Sequence, residues 1–145
     1  MTDTDVRGRT VPIEGVDGEV RVYRRHPNGG GLVEVTATVP DGAAVHESAY
    51  VESGSVLGEG THVGAGCWIE SGVTVGADVR FGQNVHLGSG SRVGDGARIG
   101  ANARLGAEVV VAAGARVGLD ARVADRHVVL GDRRRAPRSD FGTAA

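Results

Sequence analysis

Apolar residues recur at every sixth position over about two-thirds of the chain. The positions are Val33, Val39, Val45, Val51, Leu57, Val63, Ile69, Val75, Phe81, Leu87, Val93, Ile99, Leu105, Val111, Val117, Val123 and Val129. Val, Ile, Leu and Phe make up only 35 of the 145 residues, so seventeen successive hits do not arise by chance. A period of six fits neither an amphipathic helix nor the alternation of a half-buried strand. It indicates an internal repeat in which each unit buries one aliphatic side chain.

Small residues and turn residues occupy further positions of the same period. The small residues, four positions after each apolar one, are Ala37, Ala43, Ala49, Ser55, Thr61, Cys67, Val73, Val79, Val85, Ser91, Ala97, Ala103, Val109, Ala115 and Ala121. The residue before each is mostly Gly, Asn or Asp, which tolerate positive φ, and these turns use part of the 25 glycines. A short strand followed by a bend with a small inner residue forms one side of a triangle. The sequence therefore predicts an all-β solenoid of about five and a half triangular coils, each of 18 residues and stacked as parallel strands.

The hexad pattern resembles that of the hexapeptide-repeat proteins, including the bacterial transferase type, which form a single-stranded left-handed parallel β-helix. The left hand is implied by the resemblance alone, because right-handed crossovers are the rule in other parallel folds. Residues 29–51 also look like bacterial and phage hexapeptide proteins of unassigned role, and this second resemblance implies no activity.

The chain divides into three segments by its pattern. Residues 1–32 lack the period, and we expect them to cap the N-terminal edge of the solenoid, which would otherwise invite strand pairing. Residues 33–131 form the predicted solenoid. Residues 132–145 are rich in arginine and small residues, which predicts a flexible basic tail and a candidate contact for a protein partner.

Composition excludes several classes of protein. A net charge of −2 argues against a general nucleic-acid binder. No apolar run is long enough for a membrane span, and the acidic, polar first residues are not typical of a secretory signal. The single cysteine, Cys67, suits a reducing compartment. We therefore expect a cytoplasmic protein with no nucleic-acid partner and no membrane span.

Residues 18 apart in sequence are expected to stack directly above one another. One outward column reads His62, Arg80, Arg98 and Arg116, and another reads Tyr50, Trp68, His86, Arg104 and Arg122. Stacked like charges repel unless they are neutralised. Three interpretations stay open: local pairs such as Asp95 with Arg98 and Glu59 with His62, acidic residues across a subunit interface, or an anionic ligand such as the phosphates of coenzyme A.

Two aromatic residues stand out on the predicted surface. Tyr50 and Trp68 are expected to face outward and to touch each other, and exposed aromatic pairs are typical of interface anchors. The alternative is that the N-terminal segment folds over them. The predicted oligomer interface comprises Tyr50, Trp68, Arg80, Arg98, Arg104, Arg116 and Arg122.

The resemblance also implies a candidate catalytic residue. Hexapeptide-repeat acyltransferases look like trimers with active sites between subunits and a histidine general base. Residues 84–89, Asn-Val-His-Leu-Gly-Ser, resemble the Asn-Val-His-Ile-Ala-His segment of lipid A acyltransferases. The second histidine is the catalytic one in that family, and Ser89 replaces it here. His86 is therefore the candidate, although the extruded loop and the Asn-Pro-Ala-type tail of many such enzymes are absent.

A metal site is a more remote alternative. The γ-class carbonic anhydrases share the predicted fold and bind a metal with three histidines, two of them in a His-x-x-x-x-His pair. That pair does not occur in this sequence, and His62 and His86 fall on different sides of the triangle. We predict no metal ligands.

The uninterrupted repeat and the outward aromatics favour a structural or interaction solenoid that assembles as a homo-oligomer, and the resemblance implies a trimer. This interpretation requires no cofactor. The alternative is an acyl-CoA-dependent acyltransferase with its site at a subunit interface. It requires a coenzyme A thioester as the donor and His86 as the base.

Overall fold

The computed structural model describes residues 10–131, and every regular element in this range is a β-strand. Three strands begin the fold: β1 (Thr10–Glu14), β2 (Val20–Arg25) and β3 (Leu32–Glu34). Two-residue strands follow: β4 (Ala44–Val45), β5 (Tyr50–Val51), β6 (Val56–Leu57), β7 (His62–Val63), β8 (Trp68–Ile69), β9 (Thr74–Val75), β10 (Arg80–Phe81), β11 (His86–Leu87), β12 (Arg92–Val93), β13 (Arg98–Ile99), β14 (Arg104–Leu105), β15 (Val110–Val111), β16 (Arg116–Val117), β17 (Arg122–Val123) and β18 (Val128–Val129).

These strands form the three faces of a prism. The histidine face contains β3, β5, β8, β11, β14 and β17; the arginine face contains β4, β7, β10, β13 and β16; the valine face contains β6, β9, β12, β15 and β18. Strands within each face are parallel, and each residue pairs with the one 18 positions later, as Trp68 does with His86. The predicted all-β solenoid of stacked, parallel 18-residue coils is confirmed.

The hexad residues build the core. Ile69, Leu87 and Leu105 are almost completely buried, whereas the residue before each in its strand points to the surface. Small residues fill the inner corners and link adjacent coils: the Thr61 hydroxyl donates to the Gly76 carbonyl at 2.7 Å and accepts from the Val79 N–H at 3.2 Å. Such hydrogen bonds satisfy polar groups that burial would otherwise leave unpaired.

The N-terminal segment adds a hairpin to the histidine face. β1 and β2 pair antiparallel, and β2 pairs antiparallel with β3. The turn between β2 and β3 needs glycine at position 29, where φ is +106° and a Cβ would lie 2.2 Å from the Val45 carbonyl oxygen. Residues 1–9 of the predicted cap and the predicted basic tail, residues 132–145, lie outside the described residues.

Truncation of a core hexad residue tests the packing. We expect Leu87→Ala to lower the free energy of unfolding by about 2–5 kcal/mol, because it leaves a cavity in a closely packed core. Denaturant unfolding followed by circular dichroism measures the change. Leu119→Ala removes the same atoms from an exposed corner residue and should change stability by less than about 0.5 kcal/mol. Equal effects of the two substitutions would contradict the assignment of the core.

Candidate active site

Five outward residues of the histidine face form one continuous column. Tyr50, Trp68, His86, Arg104 and Arg122 each precede a hexad residue in a two-residue strand and pair in register from coil to coil. Since successive strand residues point to opposite sides, burial of the hexad residue turns each of these five side chains outward. The fold therefore brings aromatic, imidazole and guanidinium groups onto one surface.

Carboxylates join the rings of this column across neighbouring coils. The Trp68 indole Nε1–H donates to Glu52 Oε2 at 2.9 Å, and the Nε2 atom of His86 lies within hydrogen-bond distance of Glu70 Oε2. In both pairs the ring lies 16 residues after the carboxylate. The side chains of His86 and Glu70 are 28% and 29% exposed. The imidazole is thus held by a carboxylate and still open to a ligand.

Aromatic contacts fix the rings in place. The Trp68 and His86 rings stack with their centroids 4.7 Å apart and an interplanar angle of 21°. Tyr50 packs edge to face against Tyr23 of β2, with ring centroids 5.9 Å apart. The N-terminal hairpin therefore covers part of Tyr50, while Trp68 remains 46% exposed.

Tyr23 ties the hairpin to the candidate site. Its hydroxyl donates to Glu52 Oε1, while the other oxygen of that carboxylate binds Trp68. Burial, together with the hydrogen bond to Glu52 and the negative charge of that group, raises the pKa of Tyr23 well above its usual value. Each of these causes disfavours the phenolate, so Tyr23 stays a proton donor and orients Glu52.

Glu52 and Glu70 each lie 16 residues before a ring of the column. This series of carboxylates does not continue for the column residues that follow His86. The residues 16 positions before Arg104 and Arg122 are Gly88 and Gly106, and neither arginine forms an ion pair with a residue between 10 and 131. Grooves of about 520 and 410 Å³ lie on the two sides of the column. Both are lined by His86, Arg104 and Arg122, so cationic side chains lie next to the imidazole.

The arginine face carries the second predicted column. His62, Arg80, Arg98 and Arg116 pair in register from coil to coil. The proposed local pairs are not found among the described residues: Asp95 Oδ1 accepts from the Ala77 N–H at 2.9 Å instead of binding Arg98, and His62 Nδ1 contacts the Gly60 carbonyl. These arginines are therefore not neutralised by the nearby acids of their own coils.

The sequence predicts that His86 and the other four column residues lie together, but it does not predict their hydrogen-bond partners. The sixteen-residue offset from Glu52 to Trp68 and from Glu70 to His86 is the sequence signal that could have identified these pairs. Tyr23 carried no such signal, because it lies outside the repeat.

Metal and membrane features are absent from the described range. No group of three or more His, Cys, Asp and Glu side chains between residues 10 and 131 is arranged to hold a metal ion. His62 and His86 lie on different faces. That same range also contains no helix with the length and apolar character needed to cross a membrane.

Two family models match the repeats. The one described as "Bacterial transferase hexapeptide (six repeats)" matches residues 72–107. The one described as "Hexapeptide repeat of succinyl-transferase" matches residues 51–77 and 92–124. Among curated proteins, none matches the sequence.

Several solved structures are similar to the chain. A mutant perosamine N-acetyltransferase from Caulobacter crescentus, in complex with CoA and GDP-perosamine, is 24% identical over 68% of this chain and 49% of its own, with a TM-score of 0.47. PerB from the same organism, with the same two ligands, is 36% identical over 62% of this chain and 49% of its own, with a TM-score of 0.43. The acetyltransferase domain of PglB from Neisseria gonorrhoeae, with acetyl coenzyme A, is 24% identical over 69% of this chain and 54% of its own, with a TM-score of 0.43. The chain spans about half the length of these structures.

The Tyr23–Glu52 hydrogen bond predicts a specific pH dependence of stability. A phenol with a raised pKa in the folded state stabilises the fold fully below the unfolded-state pKa of about 10, and this contribution is lost as pH rises towards the folded-state pKa. We therefore expect the free energy of unfolding of the wild type to fall above about pH 10 more steeply than that of Tyr23→Phe. Denaturant unfolding at several pH values measures both slopes. The two proteins share every other titrating group, so equal slopes would contradict the contact.

Proposed function

The chain belongs to the bacterial transferase hexapeptide-repeat family, and from this premise we propose that it is an acyltransferase, which moves an acyl group from a coenzyme A thioester to a hydroxyl or amine. Both matching family models describe repeats of transferases. The structural solenoid that the sequence favoured is not confirmed, and the acyl-transfer alternative agrees better with the family.

The observation that carries this proposal is the contact between His86 and Glu70. An ionised carboxylate only accepts hydrogen bonds, so the Nε2 atom of His86 carries the hydrogen and donates the hydrogen bond to Glu70. The lone pair is then on Nδ1, which has no hydrogen-bond partner among the described residues. The pair is partly exposed. This is the arrangement that a general base requires: an oriented ring with one nitrogen free to take a proton.

The chemistry follows from that orientation. Nδ1 of His86 removes the proton from the acceptor hydroxyl or amine as its oxygen or nitrogen attacks the thioester carbonyl. Glu70 stabilises the imidazolium that forms, and Trp68 keeps the ring from turning away. The proton then passes from Nδ1 to the departing thiolate, which leaves as the free thiol. The thioester of acyl-CoA supplies the acyl group and the leaving group.

The arginine face suits the phosphates of the donor. Arg80, Arg98 and Arg116 line a groove of about 460 Å³ whose far side is formed by Gly82, Gly100 and Gly118. These glycines begin the corner that leads to the histidine face, so the donor would reach His86 across one corner. Stacked guanidinium groups are well matched to phosphate oxygens.

Ser89 replaces the histidine that is catalytic in the lipid A acyltransferases. It lies at the corner after β11 and lines the groove on the Glu70 side. A serine has no basic nitrogen at neutral pH, so it cannot replace histidine as the base. The proposal therefore assigns the base to His86.

Substitution of His86 tests the proposal. With acetyl-CoA and a panel of small amines and alcohols, we expect the wild type to release coenzyme A, measured by a thiol reagent. We expect His86→Ala to lower the rate about 100-fold or more, because a general base contributes about 100- to 10,000-fold. Glu70→Gln should lower the rate less.

The matched control is His46→Ala. This exposed histidine contacts Ser48 outside the column, so its removal should leave the rate unchanged. Calorimetry should show coenzyme A binding to the wild type and to His86→Ala alike. The proposal fails if coenzyme A does not bind at millimolar concentration, or if His86→Ala turns over at the wild-type rate.

We also propose that the protein is a homotrimer whose contacts include the predicted residues Tyr50, Trp68, Arg80, Arg98, Arg104, Arg116 and Arg122. The support is a set of exposed aromatic side chains, and of arginines that form no ion pair within residues 10–131, on two adjoining faces. Light scattering should give three times the 14.8 kDa chain mass at micromolar concentration. Arg98→Glu should weaken association, whereas Val20→Glu, in the exposed hairpin, should not. A monomeric wild type would refute the assembly.

A further inference from the structure

Polarity changes steadily along the histidine-face column. Its N-terminal end presents Tyr50 and Trp68, its centre presents His86, and its C-terminal end presents Arg104 and Arg122. Neighbouring strands lie about 4.8 Å apart, so Trp68 and Arg104 are separated by about 10 Å, with the imidazole midway. One surface thus offers an aromatic end, a base and a cationic end in a fixed order.

The aromatic end opens into a cavity. A volume of about 390 Å³ is lined by the apolar and aromatic side chains of Ile13, Tyr23, Tyr50 and Trp68, and also by Ser48 and Glu52. It shares Gly66 and Trp68 with the groove that contains His86. Glu52 already accepts from Tyr23 and Trp68. The cavity is therefore suited to a planar or apolar ring.

The cationic end exists because the carboxylate series is interrupted. A Cβ at Gly88 would lie 2.4 Å from the Gly106 carbonyl oxygen, so a side chain at this position would require a shift of the backbone. The acids that line the two grooves beside these arginines are Glu70, Asp120 and Asp125. Glu70 binds His86 and Asp125 accepts from the Ala107 N–H. None of these three carboxylates forms an ion pair with Arg104 or Arg122 within residues 10–131.

We propose that the acyl acceptor lies along this column, with a planar or apolar ring on Tyr50 and Trp68, its nucleophile at His86, and a phosphate or carboxylate at Arg104 and Arg122. This inference rests on the proposed acyl transfer, because it defines the acceptor by the position of its reacting atom. The order of the column excludes an acceptor with its ring and anion on the same side of the nucleophile. Arginine forks bind phosphate and carboxylate oxygens in pairs, which fixes the register of the ligand.

Phenyl phosphate is the simplest probe, because it carries a ring and an anion. Trp68 is the only tryptophan, so its fluorescence reports directly on the column. We expect phenyl phosphate to change the Trp68 emission saturably and to bind more tightly than either inorganic phosphate or phenol. The combined substitution Arg104→Gln and Arg122→Gln should weaken binding about 10-fold or more, and Tyr50→Leu should weaken it by a few-fold.

Arg92→Gln is the matched control. Arg92 occupies the same strand position on the valine face and carries the same charge, so phenyl phosphate affinity should be unchanged. Circular dichroism establishes that each variant is folded. Equal weakening by Arg92→Gln, or no weakening by the Arg104 and Arg122 substitutions, would show that binding is non-specific and overturn the proposal.

Coenzyme A also contains a ring and phosphates. A competition experiment between phenyl phosphate and coenzyme A therefore shows whether the column binds the acceptor or the donor. If the column holds the acceptor, saturating coenzyme A leaves the affinity for phenyl phosphate unchanged. If coenzyme A displaces phenyl phosphate, the column belongs to the donor and the proposal is wrong. Arginine-dependent binding of phenyl phosphate without any coenzyme A binding would overturn the proposed acyl transfer while leaving the ring-and-anion site in place.

Discussion

The burial of one aliphatic side chain every six residues is the constraint on which the rest of the structure depends. The three sides of a coil enclose a core that is one side chain wide, and therefore every coil must be 18 residues long for Ile69, Leu87 and Leu105 to stack. A shift of one residue would turn the whole hexad set outward. The outward residues inherit this register and stack as strictly as the buried ones. Surface chemistry in this protein is therefore organised in columns.

Much of the fold and the composition of the columns could be predicted, because both follow from the period. The hydrogen-bonded pairs of the candidate site could not be predicted in this way. Glu70 reaches His86, and Glu52 reaches Trp68, diagonally from one coil to the next, and diagonal reach depends on rotamers that a period of six does not encode. Tyr23 lies outside the repeat, so only the pairing of β2 with β3 brings it to Glu52. The expected Asp95–Arg98 pair is not observed for a similar reason, because the Asp95 carboxylate accepts a hydrogen bond from the backbone N–H of Ala77.

Grooves form on this solenoid although no loop is inserted in the repeat. On the histidine face the residue directly after each strand changes from Glu52 and Glu70 to Gly88 and Gly106. Glutamates fill the space beside the first rings, whereas glycines leave it open beside Arg104 and Arg122. The groove therefore forms because glycine replaces glutamate at equivalent positions of the repeat while the backbone path stays the same.

Stacked arginines need a counter-charge from outside their own coil. Two guanidinium groups about 4.8 Å apart repel by about 1 kcal/mol even in water, and each added coil increases the repulsion. A carboxylate at position 88 or 106 would relieve it by continuing the pattern of Glu52 and Glu70, but glycine occupies both positions. Glu52 and Glu70 instead form hydrogen bonds that orient the rings of Trp68 and His86. Arg104 and Arg122 form no ion pair within residues 10–131, so an anionic ligand or partner that binds them would stabilise the folded chain.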